Sequence, residues 1–231
     1  KVLIPSPAWV SYPQIVSLCR AEPVLVPGDP EWGLKVSVKD LEAKYDKLVK
    51  GLIICTPSNP SGANVDITEI KAIAEWARER KVWIIADEIY RRIYYGADGH
   101  PAPSFLDLGD EYLERLVLIY GASKAYAMTG WRIGAAYAPM HLAKAMAALQ
   151  SHTTTGANHP AQWAAVTAFT DEKVEQEVVK MTAAFRRRRD RVVSRFRASA
   201  PGVEFVEPTG AFYFFFRVDG VTPTHDYTGT Q

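Results

Sequence analysis

The sequence predicts an α/β protein built on a mostly parallel sheet, followed by part of a smaller α+β unit. Three observations carry this. Five short apolar, β-branched runs recur between Val2 and Tyr120, and continuous apolar runs of that length suit strands covered on both faces. A helical pattern separates the third run from the fourth, giving a strand–helix–strand unit whose crossover is right-handed. After Ala138-Pro139 the texture changes to helices, then to an aromatic, strand-like stretch.

Each element has its own warrant. Val2-Leu3-Ile4 and Pro23 to Val26 read as the first two strands, Leu52 to Cys55 as the third, Val82 to Ala86 as the fourth and Leu116 to Tyr120 as the fifth. Between the third and fourth, Asp66 and Glu69 have the spacing of a capping box. Ile67, Ile70, Ile73, Ala74 and Ala77 then make one apolar face of a helix running to Arg80. His141 to Leu149 reads as a helix, and the Thr-rich stretch Ser151 to Asn158 as a loop. Pro160 to about Ala198 reads as two helices broken near Asp171. Val203 to Val218 reads as strands of the smaller unit, with Phe212 to Phe216 a core strand. The boundary is expected within the long helix near Met181 to Arg189, dividing the chain into 1–185 and 186–231. The tail after Asp219 is polar and rich in Gly, Pro and Thr.

Composition narrows the function classes. The chain has 231 residues, of which 48% are hydrophobic and 23% charged, an ordinary globular balance with enough apolar content for a substantial core. A net charge of +1 gives no reason to expect a nucleic-acid or membrane-surface partner. The basic run Arg186 to Arg189 reads as a solvated helix face. No apolar stretch approaches the ~20 residues of a membrane-spanning helix. Cys19 and Cys55 show neither CxxC spacing nor a disulfide framework, and Cys55 reads as a small buried residue. The five histidines lack metal-ligand spacing, so no metal is expected. The expected location is cytoplasmic.

The chemistry gathers at strand ends. In open α/β sheets, ligands bind outside the carboxyl ends of the strands. The third strand runs into Thr56-Pro57-Ser58-Asn59-Pro60-Ser61-Gly62, the fourth into Asp87-Glu88-Ile89-Tyr90 and the fifth into Gly121-Ala122-Ser123-Lys124, with Arg132 eight residues on. If the strands are parallel, an amide, a carboxylate, a phenol, an amine and a guanidinium meet at one edge. Pyridoxal phosphate needs all five. Its aldehyde takes a lysine, its ring nitrogen a carboxylate, its phenolic oxygen hydrogen-bond donors, and its phosphate backbone N–H groups and an arginine. Taken singly, these residues have plainer readings: a surface lysine, a Pro-Gly turn at Asn59, an ion-paired Arg132. An apolar strand ending Asp-Glu also matches the Mg²⁺-binding strand of P-loop nucleotide hydrolases, but no GxxxxGK[ST] is present.

The residues resemble a known family, the class I/II aminotransferases of the pyridoxal-phosphate (PLP) fold type I, most closely the bacterial aspartate-aminotransferase-like branch. Asn59-Pro60-Ser61-Gly62 resembles its Asn-Pro-Thr/Ser-Gly motif, Ala86 to Tyr90 its Asp-x-x-Tyr motif, and Ser123-Lys124 with Ala127 to Gly134 its lysine signature. Gly210-Ala211-Phe212-Tyr213 resembles a small-domain strand motif, and Pro7 to Pro13 the segment whose aromatic stacks on the cofactor. The matches run in family order along nearly the whole chain.

The resemblance implies roles. Lys124 is the Schiff-base lysine and proton carrier, Asp87 pairs with the ring nitrogen, Tyr90 and Asn59 bond the phenolic oxygen, Ser123 and Arg132 hold the phosphate, and Trp9 stacks on the ring. It implies a ping-pong exchange between an L-amino acid, aspartate as best guess, and a 2-oxo acid such as 2-oxoglutarate. It also implies a homodimer when full length, with Ser151 to Asn158 near a neighbouring subunit. The departures are Gly121, where many relatives carry a phosphate-binding Ser, and the family's upstream Gly-rich loop and later substrate-carboxylate arginine, which would fall before Lys1 and after Gln231. On that reading the chain is a central fragment, and weak or absent turnover is expected from it alone. C–S β-lyases, other fold type I enzymes and ligand-sensing regulators on this fold share the same cofactor residues.

Overall fold

The computed structural model describes residues 1–96 and 99–218. Six strands form one sheet: β1 (Val2–Ser6), β2 (Pro23–Pro27), β3 (Gly51–Cys55), β4 (Trp83–Asp87), β5 (Leu116–Gly121) and β6 (Gly134–Tyr137), in the order β2-β1-β3-β4-β5-β6. The first five are mutually parallel, and β6 returns antiparallel to β5. All five expected strands are present. β6 was not anticipated, because Gly134-Ala135-Ala136-Tyr137 lacks the β-branched run that marked the others.

The helices are α1 (Ser11–Leu18), α2 (Val38–Lys44), α3 (Ile67–Arg80), α4 (Ala122–Ala125), α5 (Met140–Thr153), α6 (His159–Thr170) and α7 (Glu172–Ser199). The α3 capping box forms as its sequence predicts. The Asp66 carboxylate accepts the N–H groups of Thr68 and Glu69, and the Glu69 carboxylate accepts the N–H of Asp66. Such caps are worth ~1 kcal/mol each. The buried face of α3 is Ile70, Ile73, Ala74, Trp76 and Ala77, whereas Ile67 in the first turn is 41% exposed. Packed with Leu3, Leu52, Ile54, Ile84, Leu116 and Phe105, this face makes the main core on one side of the sheet. Tyr12 and Val16 of α1 cover Ile4 and Ile53 on the other.

Two readings of the second half are corrected. Ser151 to Thr153 belongs to α5 and not to a loop, because the Ser151 and Thr153 hydroxyls bond back to the carbonyls of Ala148, Leu149 and Gln150 and satisfy themselves within the helix. The run Phe212 to Phe216 is not a core strand. Within the run only Phe215–Phe216, as β8, pairs with β7 (Phe205–Val206), and both residues are partly exposed rather than buried. Phe205, Phe214 and Phe216 pack on Phe196 of α7, while Phe212 and Tyr213 turn the other way, toward Tyr90. The break at Asp171 is real, with the Asp171 carboxylate capping α7. α7 passes residue 185 without interruption. The tail from Asp219 lies outside the described residues. Among the described residues no helix is long and apolar enough to cross a membrane.

Candidate functional site

The strand registers bring the chemistry to one edge. Cys55 at the end of β3 pairs with Asp87 at the end of β4, and Asp87 pairs with Ile119 of β5. Gly121 at the end of β5 pairs with Gly134, the first residue of antiparallel β6. Ser123 and Lys124 therefore leave this edge just after Gly121, and Arg132 arrives at it just before Gly134. Trp9 and Tyr12 follow β1, and Asn59 follows β3. The sheet also changes winding direction here, since β1 is flanked by β2 and β3. That is the topological switch point at which ligands of such sheets bind. Beneath it lies a cavity of about 40 Å³, lined among others by Pro7, Tyr12, Cys55 and Asn59. A cavity of that size holds water at most.

Asp87 is the best-held group. The Tyr12 hydroxyl donates to its Oδ2 at 2.6 Å, and the Ile89 N–H donates to its Oδ1 at 3.1 Å. Burial pushes its carboxyl above the usual carboxylate range, against the pull of those two donors. Among the described residues no cation pairs with it. Tyr12 is buried, and burial, with Cys55 and Asp87 beside it, raises its phenol far above the ordinary value, so it stays a donor. The Cys55 thiol is pushed up to about 12, chiefly by burial and then by Asp87, which makes it inert packing. Cys55 packs against both the Tyr12 cluster and the Tyr90 cluster, and so joins the two halves of the site.

Tyr90 is 3% exposed, and its hydroxyl lies 2.5 Å from that of Tyr213. Phe212 meets the Tyr90 ring edge-on at 5.3 Å, and the Lys124 Nζ stands 5.8 Å from the centre of the Phe212 ring. Lys124 is half-buried, and no carboxylate among the described residues pairs with it. Trp9 is 42% exposed and edge-on to Tyr12 at 5.4 Å, leaving ring surface open. Asn59 is half-buried beside Tyr12 and Cys55. Arg132 is exposed, in left-handed backbone, with its guanidinium on the Thr129 carbonyl at 3.1 Å. The carbonyl of Ser123 accepts the Thr129 hydroxyl at 2.8 Å. The structure thus links Asp87 to Tyr12 and Tyr90 to Tyr213, and brings Lys124 to the same aromatic patch. Arg132 and Ser123 share the edge, and among the described residues their hydrogen bonds go to Thr129 and not to the other site residues.

Three residues here escaped sequence reasoning in these roles. Tyr12 holds Asp87, and its place on the first turn after β1 was the available signal. Phe212 and Tyr213 were read as core strand. The small pair Gly210-Ala211 before them was the signal that backbone comes close, since a Cβ on Gly210 would sit 2.6 Å from Pro57 Cβ and Cγ. Among the described residues no group of three or more His, Cys, Asp or Glu side chains is placed to hold a metal ion.

Known proteins share this chain's family pattern and its fold. The family described as "Aminotransferase class I and II" matches residues 1–226. A probable aspartate/prephenate aminotransferase of Aquifex aeolicus is 38% identical over 215 residues, covering 93% of this chain and 54% of the relative. A solved double mutant of Thermus thermophilus aspartate aminotransferase superposes with a TM-score of 0.87 at 34% identity, over 96% of this chain and 56% of that one. An aromatic aminotransferase from Pyrococcus horikoshii OT3 gives 0.88 at 35% identity, over 94% and 57%. The chain spans about half the length of the relatives it matches.

Proposed function

The chain belongs to the class I and II aminotransferase family, and from that premise we propose that it carries the cofactor-holding part of an enzyme that uses pyridoxal 5′-phosphate to move an amino group from an L-amino acid to a 2-oxo acid. Aspartate and 2-oxoglutarate are the proposed pair, and the working form is a homodimer of the whole protein. The small unit is taken to begin near residue 186. Membership leaves the Mg²⁺-strand reading of Asp87-Glu88 without support.

One observation carries the cofactor reading. On adjacent strand ends stand a half-buried carboxylate and a half-buried lysine, and among the described residues the first has no cation and the second no carboxylate. A buried carboxylate left unpaired costs several kcal/mol in general, and a protonated ring nitrogen supplies the missing charge. When bound, pyridoxal phosphate supplies an aldehyde that condenses with amines and a ring that withdraws electrons from the substrate carbon.

The chain's own residues do the rest. Asp87, fixed by Tyr12 and by the Ile89 N–H, keeps a proton on the ring nitrogen. Tyr90 and Asn59 donate to the phenolic oxygen. Ser123 and Arg132 hold the phosphate, Arg132 by turning from the Thr129 carbonyl. Trp9 covers one ring face. With cofactor and substrate bound, Lys124 would remove a proton from the substrate Cα and return one, serving as base and acid in turn. The test is a product assay on the full-length protein with pyridoxal phosphate. Glutamate formation that needs both aspartate and 2-oxoglutarate is expected. Release of pyruvate and ammonia from a thioether amino acid, without transamination, would overturn the reading in favour of a β-lyase.

A further inference from the structure

The hydroxyl of Tyr90 has one hydrogen to give. Its nearest partner is another phenol, Tyr213, at 2.5 Å, with ring centroids 5.5 Å apart and planes at 78°. If Tyr90 donates to Tyr213, it has no hydrogen left for a ligand. If Tyr213 donates to Tyr90, the Tyr90 hydrogen is released to point elsewhere.

The backbone that carries Tyr213 is fastened from both sides. The Gly62 carbonyl accepts the N–H groups of Thr209 and Gly210, each at 2.9 Å, and the Thr209 hydroxyl accepts the Asn64 N–H at 3.0 Å. The Tyr95 N–H donates to the Thr209 carbonyl and the Ala211 N–H to the Ile93 carbonyl, each at 2.8 Å, and the Tyr95 hydroxyl bonds the Ala211 carbonyl. Residues 209–211 thus form a clip between the turn after β3 and the segment after β4. Loop backbone tied at this many points holds Tyr213 in one place.

We propose that Tyr213 is a positioning residue for Tyr90: it donates to the Tyr90 oxygen, and so aims the Tyr90 hydrogen at the phenolic oxygen of bound pyridoxal phosphate. The groups around Tyr90 suit this. Asp87 from β4 and Cys55 from β3 lie near its hydroxyl, and Lys124 reaches the same aromatic patch through Phe212. Burial, with the Asp87 carboxylate close by, raises the Tyr90 phenol well above its ordinary value, so Tyr90 keeps its hydrogen across the neutral range. The clip makes the orientation of Tyr90 depend on a segment that continues into β8 and packs on α7.

The inference rests on the cofactor reading, and the experiment separates the two. The full-length protein is loaded with pyridoxal phosphate, and its visible absorbance band is titrated with pH in the wild type, Tyr213→Phe, Tyr90→Phe and the double variant. A donor to the phenolic oxygen favours its ionised form, so weakening that donor raises the midpoint. The expected rise for Tyr213→Phe is about half to one pH unit, one hydrogen bond's worth, with no further rise when it is added to Tyr90→Phe. An unchanged midpoint in Tyr213→Phe, a lowered melting temperature alone, or an additive rise in the double variant would overturn the inference while leaving the cofactor reading intact. A wild type without a Lys124-dependent band would overturn both.

Discussion

Tyr12→Phe removes one oxygen and tests how Asp87 is held. The lost contact is the 2.6 Å hydrogen bond to Asp87 Oδ2, made by a buried phenol to a half-buried carboxylate. Hydrogen bonds to charged groups contribute about 1.5–3 kcal/mol, and neutral ones about 0.5–1.5. The folded pKa of Asp87 is already raised by burial, so its carboxyl favours the folded state most when protonated, and that advantage fades as pH rises through the folded pKa. Tyr12→Phe raises that pKa further, so the variant suffers more in the ionised range. Its expected cost is ~2 kcal/mol where Asp87 is ionised and ~1 kcal/mol at pH 3.5, below the unfolded carboxyl value of 3.8, where Asp87 is mostly protonated in both states. With a urea slope of ~2 kcal/mol per molar, the larger loss moves the unfolding midpoint by ~1 M. Urea unfolding of the cofactor-free protein at pH 7 and pH 3.5 reads both numbers. A loss equal at the two pH values, or larger in acid, would refute the claim that Tyr12 stabilises an ionised Asp87.

Other perturbations follow from the same accounting. Glu88 is fully buried. Its Oε1 accepts the Phe105 N–H at 2.9 Å, while Oε2 has no hydrogen bond among the described residues and stands 3.8 Å from Arg91 Nε. Burial raises its pKa, so it costs stability as pH rises through that value, and Glu88→Gln should flatten the pH dependence at little net cost. Glu88→Ala orphans the Phe105 N–H and opens a cavity, for a loss of about 3 kcal/mol by denaturant titration. Gly210→Ala places a Cβ 2.6 Å from Pro57 and 2.9 Å from the Ile93 carbonyl, which should loosen the clip at a cost of about 1–3 kcal/mol. Differential scanning calorimetry should record this as a fall of several degrees, about 2–4 °C per kcal/mol for a chain of this size.

The parallel core was legible because each strand is buried on both faces and its sequence is continuously apolar, as Gly51 to Cys55 illustrates. The helix Ile67–Arg80 was legible to the residue because its ends carry local chemistry, the Asp66–Glu69 box. β6 was not, because Gly134, Ala135 and Ala136 have no pattern of their own and are held by pairing to β5. The aromatic run misled because hydrophobicity says that Phe212 to Phe216 are sticky but not that the chain divides there, Phe212 and Tyr213 toward Tyr90 and Phe214 and Phe216 toward Phe196. In the site, Lys124, Asp87, Tyr90, Asn59 and Arg132 could be placed at one edge because strand ends are readable. Tyr12 and Tyr213 act on other side chains across 75 and 123 residues, and no local pattern encodes such contacts.

The central claim is that Lys124 is the residue that takes the cofactor. Incubating the full-length protein with pyridoxal phosphate, reducing with borohydride and mapping the labelled peptide by mass spectrometry tests it directly. The account predicts a single reduced adduct on Lys124, lost in Lys124→Ala and weakened in Asp87→Ala. An adduct on another lysine, or one that survives in Lys124→Ala, would contradict it.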